Sequence, residues 1–371
     1  MKTIRYTVIG AGNGGKSMAS HLALMGFEVT LYNRTPEHIE MIKARGGIAL
    51  ESNESGPRGF GQLTLVTSDI QKALENTDVI MVVVPAFAHR NVAISAAPYL
   101  QNGQIIILHP GRTLGALEFR QTLWEQGCDA EVYVAETQTF IYASRSDGPA
   151  QARIFRIKDA VPLAVLPAIH TAHVLDVITP AYPQFVDGVN ILYTGLNNIG
   201  AIFHPTITML NTGWIESTSG DFQFYLDGVT PTVARIMEVL DRERVTVASS
   251  LGVRATTAKE WLKIAYNSSG EDLYEAIHNQ PGYRGINAPS SLNNRYITED
   301  VPMSLVPIAS LGQHFGVSVR GMDSLIRLAC IAHKTDYWRR GRMIEKLGIA
   351  HLGVSELTKF VNEGTRESLN Y

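Results

Sequence analysis

Tyr6-Thr7-Val8-Ile9-Gly10-Ala11-Gly12-Asn13-Gly14-Gly15 decides the architecture, because an apolar strand runs straight into a cluster of glycines. Residues 17–25 follow with small and apolar side chains at the spacing of a helix packed on a sheet, and residues 26–32 read as a second strand. Strand, glycine turn, helix and strand close a βαβ unit of about 30 residues, the context that turns a weak GxGxxG match into a dinucleotide-binding signature. Gly10 makes the tight turn, Gly12 lets the backbone approach a pyrophosphate, and Gly15 lets helix and strand pack closely. The helix N-terminus offers free N–H groups and a positive dipole end to phosphate, and Asn13 and Gly14 of the glycine turn are candidate cofactor contacts with it. A structural turn without a ligand is the competing reading, which the complete βαβ context weakens.

The end of the second strand selects the nucleotide. An NAD-binding unit usually places an acidic residue about 20 positions after the glycines to take the ribose hydroxyls. Here Asn33-Arg34-Thr35 stands in that place. A guanidinium flanked by amide and hydroxyl groups suits a phosphate dianion, so NADPH/NADP+ is favoured over NADH. The alternative is that Arg34 is a solvated loop charge.

At 371 residues the chain exceeds what one hydrophobic core usually supports, which predicts two domains. A composition of 45% hydrophobic and 18% charged residues with net charge −3 is that of an ordinary globular enzyme. Lysine and arginine are scattered, with no basic arm that would bind nucleic acid. No apolar run approaches the roughly 18 residues of a membrane span, and the N-terminus carries no leader pattern. Two cysteines, Cys128 and Cys330, form no CxxC pair and no disulfide framework, so the expectation is reduced thiols in a cytoplasmic protein without a metal site.

Along the chain, residues 36–45 read as a helix, 46–61 as a loop with a short strand at 48–50, 63–66 as a strand and 70–74 as a short helix. Residues 78–85 are a continuous β-branched run that belongs in the middle of a parallel sheet. The loop after it begins at Pro85 and Ala86 and leaves the carboxyl end of that strand, where open α/β sheets bind ligands. Helix 91–100, strand 104–108, the turn His109-Pro110-Gly111-Arg112-Thr113, helix 116–125 and strand 132–136 continue the alternation, and 137–145 reads as another polar loop. Two short strands, 154–157 and 161–165, look like a hairpin added to the sheet. After a proline-rich break at 179–183 the pattern is helical, with stretches at 189–210, 232–250, 257–265, 303–315, 321–333, 338–347 and 355–362. The expected fold is an α/β Rossmann-type dinucleotide-binding domain over residues 1–182 followed by an all-α C-terminal domain over 183–371.

Within 189–210, Asn190, Asn197, His204 and Asn211 recur every seven residues, a step that drifts by only ~20° around a helix. Gly200 and Thr208 lie on the same face, one turn either side of His204. A polar stripe on an otherwise apolar helix must meet partners, water or a ligand, since an unpaired buried amide is costly. Asn197 and Thr208 are therefore candidates for binding substrate, and His204, beside Pro205, for a general acid/base. The bland reading is that the stripe satisfies neighbouring backbone or forms a polar subunit seam. The long irregular segment 279–300 is a candidate functional loop. In it Arg295 offers a planar fork for a carboxylate, and Asp300 could orient His204, although a solvated Arg and Asp are the common case.

These motifs resemble the opine dehydrogenase family, the octopine/nopaline dehydrogenases and bacterial enzymes that make N-(carboxyalkyl) amino acids. The resemblance spans essentially the whole chain: the glycine turn, residues 85–89 and 109–112, Asn197-Asn198-Ile199-Gly200-Ala201-Ile202-Phe203-His204-Pro205, and Asn294-Arg295-Tyr296 through Glu299-Asp300-Val301-Pro302. It implies that His204 and Asp300 are the catalytic dyad and that Arg295 binds the keto-acid carboxylate. The implied reaction is reductive amination: an α-keto acid and an amine or amino acid condense to an imine that hydride transfer reduces. Asn33-Arg34 departs from the acidic residue of NAD-dependent members, which bears on the cofactor and not on the fold.

Two rivals remain at this stage. One is an NADP-dependent dehydrogenase of a small hydroxy or keto acid with no amine partner, using Lys259 or Lys263; neither lies in a polar stripe. The other is a non-catalytic NADP-binding sensor, which would need no carboxylate clamp beside an acid/base. The sequence leaves the choice of keto acid and amine open, and self-association as a homodimer as well.

Overall fold

The computed structural model describes residues 4–53 and 56–364; the outermost residues of both expected domains, 1–3 and 365–371, lie outside the described residues, as do 54 and 55 of the expected loop at 46–61. The chain divides into two compact units, one of Met1–Gly111, Gly115–Thr194 and Lys359–Thr365, the other of Arg112–Leu114, Gly195–Thr358 and Arg366–Tyr371. This division runs past the expected boundary at 182, because Tyr182 is buried in the first core with its hydroxyl bonded to that of Tyr142 at 2.9 Å, and the next strand still joins the first unit's sheet.

In the first unit the strands are β1 (Arg5–Ile9), β2 (Glu28–Tyr32), β3 (Gly47–Ser52), β4 (Gly59–Gln62), β5 (Leu65–Thr67), β6 (Val79–Val82), β7 (Ile105–Leu108), β8 (Tyr133–Thr137), β9 (Tyr142–Gly148), β10 (Gln151–Ile157), β11 (Val161–Leu166) and β12 (Phe185–Asp187). Eight of the described strands form a sheet in the order β12-β11-β8-β7-β6-β1-β2-β5, parallel except for β8 against β11. β6 and β7 are buried at every position, which is why they read as unbroken apolar runs. Strand order reverses between β1 and β6, so the carboxyl ends of these neighbours flank the crevice where such sheets take their ligands.

The other four strands form a second sheet, β4-β3-β10-β9, that the sequence does not announce. It packs on the helix Asn13–Leu24: Ser20 Oγ donates to the Ile48 carbonyl at 3.0 Å, and a Cβ at Gly61 would stand 2.6 Å from the Ser20 carbonyl oxygen. The glycines that make 46–61 look like a loop are thus what brings β4 against the helix. The loop expected over 137–145 gives way from residue 142 to β9, Tyr142–Gly148. The expected hairpin of 154–157 and 161–165 is also corrected, since β10 pairs with β9 and β3 in the small sheet whereas β11 pairs with β8 and β12 in the large one. The helix expected over 36–45 splits at Ile39 into a 3-10 turn, Pro36–His38, and a helix, Glu40–Arg45.

Downstream, the chain is helical as expected, with corrections that matter for the site. The helix expected over 189–210 breaks into Ile191–Leu196 and Gly200–Leu210. Asn197 and Asn198 interrupt it because their side chains bond outside the ladder, Asn197 Oδ1 accepting from the Thr256 N–H at 2.8 Å and Asn198 Nδ2 donating to Ser304 Oγ at 2.9 Å. The helix expected over 303–315 starts as a π-helical turn, Val301–Leu305, and continues as Val306–His314. Of the stretch 338–347 only 338–340 is α-helical, as the end of the helix Tyr337–Arg340. Among the described residues no helix is long and apolar enough to cross a membrane.

Candidate active site

The glycine turn is built as a cradle. Gly10 sits at φ +111°, and a Cβ there would lie 2.4 Å from the Val83 carbonyl oxygen. At Gly15 a Cβ would lie 1.7 Å from the Gly10 carbonyl oxygen, and at Gly14 2.6 Å from the Phe140 ring. These three positions are closed to any side chain. Gly12 is the opposite case: a Cβ there meets nothing within 4 Å, and as the N-cap of the helix it supplies no capping side chain. The first N–H groups of that helix are thus left without a capping side chain, beside open space at Gly12, which fits an anionic ligand.

Asn33 belongs to the cradle's frame. Its Oδ1 accepts from the Ala11 N–H at 3.1 Å and its Nδ2 donates to the Thr35 carbonyl at 2.9 Å, which ties the end of β2 to the turn. Arg34 is exposed beside a half-buried Thr35. Asn13 Oδ1 accepts from the Ser146 N–H at 3.1 Å. Pro85 is half-buried and Ala86 buried, at the start of the 3-10 turn Ala86–Ala88 that leaves β6.

The second unit contains the chemistry-bearing cluster. Asn294 caps the short helix Arg295–Thr298 by accepting from the Tyr296 N–H at 2.9 Å, and Asp300 stands at the N-terminal cap of the π turn. From there Asp300 Oδ2 lies 2.8 Å from His204 Nδ1, with the carboxylate 1% and the imidazole 22% exposed. A carboxylate can only accept, so the hydrogen of the pair sits on Nδ1 and Nε2 is left outside the pair. Among the described residues Nε2 makes no hydrogen bond. Tyr296 stacks on the imidazole at 4.3 Å and 20°, and Phe224 backs Tyr296 at 4.9 Å. Burial, and then the Asp300 charge, raise the Tyr296 hydroxyl above its ordinary range, so it stays neutral.

Asp300 is held from its other side as well. Arg112 Nη1 lies 2.9 Å from Asp300 Oδ1, a charge contact without hydrogen-bond alignment, and Arg112 Nε donates to Glu299 Oε1 at 3.4 Å. Burial alone would lower the Arg112 pKa, but the Asp300 and Glu299 charges outweigh it and the guanidinium is raised. Glu299 Oε2 in turn accepts from Arg295 Nε. Arg295 is 59% exposed and its two terminal nitrogens have no partner among the described residues. Gly200 leaves the necessary room, since a Cβ there would come within 3.3 Å of Arg112 Nη1 and 3.5 Å of His204 Cε1.

The structure thus brings together His204, Asp300 and, through Glu299, Arg295. The rest of the seven-residue series has structural work. Asn190 Oδ1 accepts from the Leu192 and Tyr193 N–H groups, Asn197 is bonded to Thr256, and Asn211 Nδ2 donates to the Ile207 and Gly228 carbonyls. The expectation that Asn197 reaches substrate meets an amide already engaged with backbone. Thr208 is fully buried with an Oγ1 that makes no hydrogen bond among the described residues. Sequence reasoning gave no role to Arg112, Glu299 or Tyr296. The signals were there: Arg112 lies in the turn 109–113 and in the family motif at 109–112, and the other two lie between Arg295 and Asp300.

Residues 188–333 match the family model for the α-helical domain of NAD/NADP octopine/nopaline dehydrogenase, and residues 5–117 match the NAD binding domain of 6-phosphogluconate dehydrogenase. An opine dehydrogenase of Arthrobacter sp. (strain 1C) is 40% identical over 347 residues, covering 94% of this chain and 96% of its own. Two solved structures share the fold. An octopine dehydrogenase in complex with NADH and agmatine has a TM-score of 0.79 at 21% identity, covering 97% of this chain and 98% of its own. Yersinopine dehydrogenase with NADP+ bound has a TM-score of 0.73 at 15% identity, covering 98% and 99%. With a 40% identical relative matched over nearly its full length, the chain belongs to the opine dehydrogenase family.

Proposed function

We propose that the protein catalyses the reductive condensation of an α-keto acid with an amine or amino acid, preferring NADPH, with His204 as the general acid/base, Asp300 as its orienting partner and Arg295 as the anchor of the keto-acid carboxylate. The observation that carries the reading is the His204 Nδ1 to Asp300 Oδ2 contact at 2.8 Å, with Nε2 unbonded among the described residues and Asp300 on the same short segment as Arg295, whose terminal nitrogens have no partner among them. A nicotinamide dinucleotide supplies the hydride when bound.

The uncapped helix N-terminus at Gly12, Asn13 and Gly14 suits the pyrophosphate, with the Pro85-Ala86 turn beside it across the β1–β6 crevice. Arg34, exposed next to Thr35 and to an Asn33 already bonded to the turn, suits a 2′-phosphate. NADH lacks that group and is the weaker cofactor in this reading.

Arg295 takes the substrate carboxylate in a bidentate pair, which fixes the face that the carbonyl carbon presents. As the amine adds, its nitrogen loses a proton to His204 Nε2, and the imidazolium is stabilised by the Asp300 carboxylate. His204 returns that proton to the carbinolamine oxygen, a second proton taken from solvent lets that oxygen leave as water, and the carbon of the resulting protonated imine accepts hydride to give a secondary amine. Thr208, buried on the helix of His204, is assigned to substrate binding, and Asn197 contributes by holding the helix break in place.

The test is a matrix of short α-keto acids against amino acids and amines, followed by NADPH and NADH absorbance, with each keto acid also run alone. Oxidation that requires both partners supports the reading. Oxidation as fast with keto acid alone identifies a simple keto-acid reductase, and binding of NADPH without oxidation across the matrix identifies a sensor.

A further inference from the structure

Arg112 belongs to no cofactor or substrate contact argued above, yet it occupies the most charged position in the second unit. Two carboxylates on consecutive residues, Glu299 and Asp300, are each 1% exposed, and the guanidinium that faces both is 16% exposed. Adjacent buried carboxylates repel each other and are tolerated where a cation is shared between them. Arg112 also adopts φ +61°, a backbone conformation unfavourable for an L-residue and kept only where the surroundings over-determine it.

Those surroundings are specific. The Thr113 N–H donates to the Met303 carbonyl at 3.2 Å, Thr113 Oγ1 donates to the Gly195 carbonyl at 3.0 Å, and Arg342 Nη1 donates to the Thr113 carbonyl at 3.0 Å. Met303 lies in the π turn whose cap is Asp300. Residue 112 is thereby stitched to the turn that carries the carboxylate it faces. Asp300 Oδ2 meets His204 and, among the described residues, Oδ1 meets Arg112, so the guanidinium balances the carboxylate from the side opposite the imidazole.

We propose that Arg112 is a positioning residue of the acid/base pair: it holds the Asp300 carboxylate aimed at His204 Nδ1, and through Glu299 it joins that pair to Arg295. The inference rests on the assignment of His204 as acid/base. The charged and titratable groups around the imidazole are Asp300, Glu299, Arg112, Arg295 and Tyr296, with Tyr225 beside Tyr296 and Asp300.

The experiment measures kcat, KM and the pH profile of kcat/KM for the full chain and for its R112Q, R112K and E299Q variants, alongside NADPH binding and thermal midpoint. Removing the cation in R112Q is expected to lower kcat by about 10²-fold and to move the acid limb of kcat/KM to higher pH by about one unit, with NADPH affinity unchanged. R112K keeps the charge and is expected to return the limb toward its original position while kcat recovers only in part. E299Q removes a competing anion and is expected to move the limb to lower pH; it carries the decision if R112Q does not fold. An acid limb that stays in place in R112Q, or in E299Q where R112Q is unfolded, overturns the proposal, as does a loss of activity that follows NADPH binding. A His204→Ala variant separates the two levels: full turnover there defeats the acid/base assignment itself, whereas an inactive variant beside unmoved limbs defeats only the role of Arg112.

Discussion

Asp300 holds His204 by Nδ1 at 2.8 Å from a position 1% exposed, while the imidazole keeps 22% of its side chain open. The ring therefore has an inner nitrogen fixed by a carboxylate and an outer nitrogen available to exchange protons. An Asp300→Asn variant preserves the shape but can present an N–H to Nδ1, which places the imidazole hydrogen on Nε2 instead. Turnover should fall by about 10²- to 10⁴-fold with NADPH affinity intact. Steady-state kinetics with cofactor titration check this, and near-normal kcat in the variant would remove Asp300 from the mechanism.

The glycine turn separates folding from binding. Gly15→Ala puts a Cβ 1.7 Å from the Gly10 carbonyl and should lower the thermal midpoint sharply, whereas Gly12→Ala meets nothing within 4 Å and should leave it nearly unchanged. The same Gly12 change should weaken NADPH binding by about tenfold or more, because the methyl stands where the pyrophosphate approaches the backbone. Thermal melts and fluorescence titration distinguish the two effects. Equal loss of stability at both positions would contradict the division of labour.

Arg34 is exposed and its assignment to a 2′-phosphate is a matter of charge. Loss of one charge-assisted contact of about 1.5–3 kcal/mol corresponds to roughly a 10- to 100-fold rise in KM for NADPH. An Arg34→Ser variant should show that rise with KM for NADH little altered. A parallel change for both cofactors would assign Arg34 to something other than the extra phosphate.

Acid stability should be set in part by two buried imidazoles. Burial lowers the His109 pKa to about 3 and the His21 pKa to about 4. Both folded values lie below the ordinary histidine value, so the unfolded chain takes up protons that the folded chain refuses, and stability declines as pH falls below about 6.5. Each group contributes a slope of about 1.4 kcal/mol per pH unit across that window. Urea unfolding between about pH 5.5 and 4.5 should show that slope reduced by one such increment in His109→Gln. An unchanged slope would mean that His109 is solvated.

How much of this was legible in the chain differs by element. β6 and β7 were readable because both faces are buried, so composition alone marks them. β3 was readable in part, as the short strand at 48–50; β4 and β9 were not, because their glycines, serines and aspartate are held as strands by pairing with β3 and β10 and by contact with the helix Asn13–Leu24, neither of which leaves an apolar pattern in the strand itself. The series Asn190, Asn197, His204 and Asn211 was visible, but its meaning was mixed: the asparagines satisfy backbone at helix ends, whereas His204 pairs with a carboxylate and keeps an Nε2 that is unbonded among the described residues. The pairing of His204 with Asp300 joins residues 96 positions apart, and it was reached through the family's motifs, since spacing cannot establish it. Arg112 escaped notice because its place beside Asp300 depends on a left-handed backbone turn and on bonds from Thr113 to remote carbonyls.

The most direct test of the central claim follows a hydride to its destination. With NADPH deuterated at the transferable position, one productive pair of keto acid and amine should give a secondary amine carrying one deuterium on the carbon between the carboxylate and the new nitrogen, and none should form in His204→Ala. Deuterium found instead in a hydroxy acid, at the same rate with or without the amine, would contradict the account.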